Sequence, residues 1–417
     1  MTVVDSLAAP TRHRSAERRG ATLGRPLRRI AGVEELDEAL MDRLGEAYLQ
    51  CDPLGGAVAE AMRLPAGDPA RVTHAAVRRA LAAGPAGAHD DGLPASLRTL
   101  LATTSADPDW LDRDLLAVGQ RVYRGWGRAA SDVLLQLALI GGYRFGGPTD
   151  LLVATGALTG DQTRRRLAET QSWTLSLSEP GGLEPGGEAW RLTLHVRVMH
   201  AVVNREFAPR WDVAHWGLPI NDADQAATLG LFDAVCMLGV RALGVPVSRE
   251  DSRAVMHLWR YVGWLMGVHE DFLVATERER HRLNYHILVS QAELSEAGPQ
   301  LARAIVDVQR HLDFAPLPAP LAAIRGHYER ERLLSMLTVF LGTRSMREMG
   351  LPMRPPWAIA TSIAQNVVRY RVLARVPGGR RVLGAVTERE VAALLARYGG
   401  GQAHAVAPIP EVATPTG

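Results

Sequence analysis

The stretch Arg191–Phe207, RLTLHVRVMHAVVNREF, decides how this chain is read. Leu192, Val196, Met199, Val203 and Phe207 recur at steps of 4, 3, 4 and 4, the spacing of one apolar helical stripe. Thr193, Arg197, His200 and Asn204 follow the same spacing and form a polar line beside it. Such a helix turns one face to a core and carries a histidine and an arginine on its border. That border suits a ligand-binding histidine, and equally a structural one held by hydrogen bonds. His195 lies about 140° round the helix from His200, so the two cannot face one metal ion together.

Immediately upstream, TGDQTRRRLAETQSWTLSL pairs Thr159 with Gln162 in a capping-box pattern, which predicts a helix starting near Gly160. Arg166 and Thr170 are i,i+4 partners on its surface. The glycine- and proline-rich SEPGGLEPGG then breaks the chain before the His200 helix begins near Glu188. At 1.5 Å per residue, Thr170 and His200 stand roughly 12 and 18 Å from this turn. An antiparallel hairpin therefore sets them at similar heights. Directly packed helices lie about 8–10 Å apart, so anything flat between them requires a splayed pair.

The same periodicity runs outward along the chain. VEELDEALMDRLGEAYLQ, ARVTHAAVRRALAAG, WLDRDLLAVGQRVYRGWGRAASDVLLQLALIGG and DSRAVMHLWRYVGWLMGVHEDFLVATERERHRL all repeat at 3.6 rather than 2. Breakers separate them at Gly67, Ala83, Glu179, Phe314 and Leu351. The expectation is an all-α fold in one globular domain over residues 31–398, with a smaller helical lobe ending near Pro94 as a variant. Residues 1–30, which hold Arg12, Arg14, Arg18, Arg19, Arg25, Arg28 and Arg29, read as a solvated, disordered basic arm, and 399–417 as a disordered tail.

Composition narrows the chemistry. The formal net charge of +2 gives no case for nucleic acid. All 47 basic residues are arginine, which excludes Schiff bases and the P-loop lysine. Two cysteines, Cys51 and Cys236, are too few for a disulfide framework or a cysteine-built metal centre and fit a reducing cytoplasm. The longest apolar runs, starting at Val133 and Leu333, are about half a bilayer span and read as buried helices. The arginine pairs are not followed by the apolar run that an export signal needs. G-x-S-x-G, H-E-x-x-H and Walker patterns are missing, and no Rossmann fingerprint follows a strand.

Several of these segments, in order, resemble the rubber oxygenase (latex clearing protein) and MpaB oxygenase family. They are R-x-x-x-T at Arg166 and Thr170, R-x-x-H-A at Arg197, His200 and Ala201, CDPLGG around Asp52, LPINDADQ before a long helix, and LWRYVGWLMGV. The resemblance covers about residues 45–375 and implies an all-helical enzyme that binds haem b, with His200 as the iron ligand. It further implies Arg166 and Thr170 on the dioxygen side, Arg197 as a propionate partner or a brace, and Asp150 as a carboxylate base. Asp150 also reads as a plain helix cap. Glu169 stands where latex clearing proteins carry a lysine able to occupy the sixth iron position. It places a carboxylate there instead, although Arg165, four residues before, offers it a surface ion pair.

The resulting expectation is a cytoplasmic haem b-dependent oxygenase. It would act with O2 on an apolar small molecule, alkene-bearing or isoprenoid, by oxidative C=C cleavage. The rivals are a haem monooxygenase or peroxygenase, and a helical protein that carries haem or a hydrophobic ligand without turnover.

Overall fold

Helices in this protein start and stop where short polar side chains and glycines permit. The computed structural model describes residues 8–155, 161–291 and 293–399. Asp52 caps helix Pro53–Met62 by accepting from the Leu54 and Gly55 amides at 3.1 and 2.9 Å. Ser248 and Asp251 close a capping box on Arg249–Met266, and Thr276 and Glu279 do the same for Glu277–Ser290. Among the described residues no strand forms, so the chain is all-α. The predicted Thr159–Gln162 cap involves residues outside the described set; the helix itself runs Asp161–Leu177.

Helix Arg249–Met266 is the axis of the core. Leu258, Trp259, Tyr261, Val262 and Leu265 are all buried, so its apolar residues cover most of the circumference. It lies against Arg113–Gly125, where Gly119 sits so close to the Ala254 carbonyl that any side chain would clash. One apolar cluster extends from Met41 to Ala358, and a second joins Leu167 and Ala168 to Ile305, Leu334 and Leu337. The segments before and after Pro94 contribute to the same cluster.

The N-terminal arm differs from its sequence reading. Residues 1–7 lie outside the described set, but helices Glu17–Leu23 and Arg25–Ala31 are formed and packed. Arg12 is 1% exposed: its Nη2 donates to Asp224 Oδ2 at 2.5 Å, and its guanidinium lies 4.2 Å from the Tyr48 ring centre. Counting arginines as solvated charge fails here because this one has a buried carboxylate and an aromatic face waiting for it. Arg19 likewise pairs with Glu348 at 2.8 Å.

The run starting at Val133 is a buried helix, as expected, but Leu134–Ile140 winds as a π-helix, of which Leu137, Ala138 and Leu139 line the cavity described below. Among the described residues, Asp222–Ala242 is long and apolar enough to cross a membrane. It is two-thirds buried in the fold (67%) and breaks at Asp233, which leaves helical geometry and caps the following helix.

Candidate active site

The hairpin predicted from sequence forms between Asp161–Leu177 and Glu188–Phe207. Near its turn the two helices are tied by a rung, Trp173 Nε1 donating to Thr193 Oγ1 at 3.0 Å. Counting seven residues outward on each helix reaches Arg166 and His200. Seven residues is almost two full turns, so both keep the facing orientation of the rung, about 10 Å beyond it. Arg166 is therefore level with His200, and Thr170 lies one turn nearer the closed end, level with Val196. The equal heights expected for Thr170 and His200 shift by one turn, because the rung and not the loop sets the register.

Arg166, Glu169, Thr170 and His200 line one cavity of about 570 Å³, within the range of small-molecule and cofactor sites. Trp173, Phe232 and Trp259 form an aromatic wall, with ring centres 5.1–6.1 Å apart. The remaining lining is mostly aliphatic, including Leu139, Leu152, Ile287 and Leu288.

Burial lowers the His200 pKa to about 4, with the Arg166 charge adding to the effect and Asp52 opposing it. The imidazole is thus neutral at ordinary pH, the form that ligates metal. Its Nδ1 is buried without a hydrogen-bond partner. That nitrogen is sealed within the fold, so it is not the one that faces the cavity, and no other hydrogen bond to the ring is present among the described residues. Among the described residues no cluster of three His, Cys, Asp or Glu could hold an ion. A metal here would have to arrive inside its own macrocycle, and one neutral histidine at a large apolar cavity fits a haem.

Arg197 does not reach this cavity lining. It grips Asp52 with a two-point ion pair, Nε to Oδ2 and Nη2 to Oδ1, both 2.6 Å, and Nη1 donates to the Leu265 carbonyl at 3.2 Å. It is a brace rather than a propionate partner, joining the His200 helix to the cap of Pro53–Met62. Gly267 completes the brace. Its φ of +85° ends Arg249–Met266, and a Cβ there would lie 2.7 Å from Asp52 Cγ and 2.8 Å from Arg197 Nε.

Asp150 also departs from its expected role as a base. Its Oδ2 accepts from the Gly147 amide at 3.0 Å and its Oδ1 from Ser295 Oγ at 2.9 Å, outside the cavity lining. The helix-cap reading is the one its position satisfies. Glu169 does line the cavity, and it accepts from Arg165 Nε at 2.9 Å. Arg166 has no hydrogen bond or ion pair among the described residues, and burial lowers its pKa.

Sequence reasoning missed Tyr143 and Arg144, which also line the cavity. They sit in GGYRFGG, between glycine pairs, where no periodicity marks a face. The pairing of Asp52 with Arg197 was missed too, though the Asp-Pro start of a helix was a signal for its capping half.

The comparisons with known proteins bear on the fold and the family. The family model described as ER-bound oxygenase mpaB/B'/rubber oxygenase, catalytic domain, matches residues 126–376. A rubber oxygenase from Streptomyces sp. (strain K30) is 22% identical over 247 residues, which cover 57% of this chain and 58% of that protein. The chain thus matches under two-thirds of that relative's length. The structure of latex clearing protein LCP in the closed state superposes with a TM-score of 0.63 at 20% identity, covering 83% of this chain and 91% of that one. That likeness shows the shared fold, while the family match spans more than half of the chain and contains Arg166, Thr170 and His200. The protein therefore belongs to the ER-bound oxygenase mpaB/B' and rubber oxygenase catalytic-domain family.

Proposed function

We propose that this chain is a haem b-dependent oxygenase that uses O2 to cleave a C=C bond in an apolar, isoprenoid-like molecule. The observation that carries the reading is His200: a neutral imidazole with no hydrogen-bond partner among the described residues, lining a large, mostly apolar cavity across from Arg166. Family membership supports oxidoreductase chemistry of the oxygenase kind. The name of the Streptomyces relative makes polyisoprenoids the first substrates to try. A reducing, cytoplasmic setting belongs to the same reading, supported by two unbridged cysteines.

His200 would hold the iron from one helix. Bound haem would supply the dioxygen chemistry that side chains lack. Arg166 and Thr170, on the facing helix, contribute a fixed positive charge and a hydroxyl donor where negative charge develops. Glu169 is the carboxylate placed to hold an allylic proton, in place of Asp150. The aliphatic and aromatic walls exclude water and orient an alkene chain. Cleavage balances as one alkene plus one O2 giving two carbonyl fragments, with no external reductant.

The test is incubation of the haem-loaded protein with polyisoprenoid and terpenoid alkenes under isotopically labelled dioxygen. One labelled oxygen in each of two carbonyl fragments, without added reductant, is the expected result. A single labelled hydroxyl product that needs a reductant would replace cleavage by monooxygenation. No product across the panel would leave the carrier reading.

A further inference from the structure

Of the ionisable side chains of the cavity lining, three are engaged by partners and three are not. Glu169 is paired with Arg165, and Asp224 with Arg12. Arg144 donates to the Gly141 carbonyl at 2.8 Å and to Ser345 Oγ at 2.9 Å. His200 is neutral and awaits a metal in the reading above. Arg166 and Tyr143 remain without a partner among the described residues.

These two lie close enough to sense each other's charge. Burial lowers the Arg166 pKa while Tyr143 and then Glu169 raise it, and burial pushes the Tyr143 phenol up to about 12 against the lowering by Arg166. The phenol therefore stays protonated and is a donor, and the guanidinium offers five more N–H donors and no acceptor. They come from different parts of the fold. Arg166 rides on the hairpin, whereas Tyr143 follows the π-helix, where its carbonyl packs against Gly298 too tightly for any side chain there. Both residues line the same cavity.

Arg166 has no hydrogen-bonded counter-ion among the described residues, since Glu169, the lining carboxylate whose charge reaches it, is bound to Arg165, and a planar fork beside a hydroxyl donor matches a carboxylate. We infer that Tyr143 and Arg166 form a subsite for a carboxylate carried on an otherwise apolar molecule. Two sources share this chemistry: the acid group of an isoprenoid-acid substrate, and a carboxylate side chain of the cofactor. The inference rests on the oxygenase reading only for what happens to the acid once bound.

The test titrates farnesoic acid and its methyl ester by calorimetry into the full-length apoprotein, as wild type, Arg166→Met and Tyr143→Phe. The acid is expected to bind at least about tenfold more tightly than the ester, with that preference lost in Arg166→Met and weakened several-fold in Tyr143→Phe. Ester affinity should stay constant across the three, which also certifies that the variants are folded. Equal binding of acid and ester by wild type, or a preference that survives Arg166→Met, overturns the subsite. Repeating the titration after haem loading separates the sources. A retained preference assigns the subsite to a substrate acid. A preference abolished by haem, with weaker haem binding in Arg166→Met but unchanged binding of haem dimethyl ester, assigns it to the cofactor. Failure of haem to bind at all would sink the oxygenase reading while leaving the acid preference of the apoprotein to be judged separately.

Discussion

Two arginines flank His200, and they have opposite fates. Arg197, on the histidine's own helix, is 6% exposed and locked on Asp52 and the Leu265 carbonyl. Arg166, on the facing helix, is also largely withdrawn from solvent but has no hydrogen bond or ion pair among the described residues, only the charge of Glu169 at longer range. In the sequence both are basic residues near the polar line of an amphipathic helix. The fold separates them by what lies opposite: a helix cap in one case, a cavity in the other. A buried charge with a partner belongs to the scaffold, and a buried charge without one belongs to a ligand.

The largest expected effect breaks the scaffold side. Arg197→Met leaves Asp52 buried and uncompensated, and should cost about 3–5 kcal/mol in urea unfolding of the apoprotein. Gly267→Ala strains a left-handed residue and pushes on the same ion pair, for a loss of about 2 kcal/mol by the same measurement. Asp222 sharpens the picture from beside the brace. Burial, and then the charge of Asp52, raise its pKa to about 7 from an ordinary 3.8, and its Oδ1 has no partner. The unfolded chain releases this proton above about pH 4 while the folded chain keeps it to about 7. Stability is thus present at low pH and drains away as pH rises through that window. Asp222→Asn should gain about 1–2 kcal/mol over wild type near pH 8 and nothing near pH 4, read as a pH series of melting temperatures. The smallest effect is on the ligand side. Arg166→Met removes a cation with no hydrogen-bonded partner among the described residues, so the apoprotein should be stabilised or lose less than about 1 kcal/mol. A loss as large as that of Arg197→Met would show that Arg166 is structural after all.

The helical architecture was legible because it rests on local spacing. The stripe from Leu192 to Phe207 and the breaker at SEPGGLEPGG each act within a few residues, whereas the stop at Gly267 inside DSRAVMHLWRYVGWLMGVHEDFLVATERERHRL went unread. His200, Arg166, Thr170 and Glu169 were legible as one constellation because the hairpin brings near neighbours together. What stayed hidden depends on distant pairing. Asp52 meets Arg197 across 145 positions, and Arg12 meets Asp224 across 212. No local pattern could tell that the arginine-rich arm would fold, or that Asp150 would turn to Gly147 and Ser295 instead of the cavity. Tyr143 was invisible for the same reason, since its role exists only where the hairpin and the π-helix converge.

The most direct test of the central claim is the absorption spectrum of the purified protein, expressed with haem supplied, beside His200→Ala and with a pyridine haemochrome assay on both. The account predicts a Soret band and the haemochrome of haem b in the wild type, both lost or strongly reduced in the variant. A colourless wild type, or a variant that holds haem with an unchanged spectrum, would contradict it.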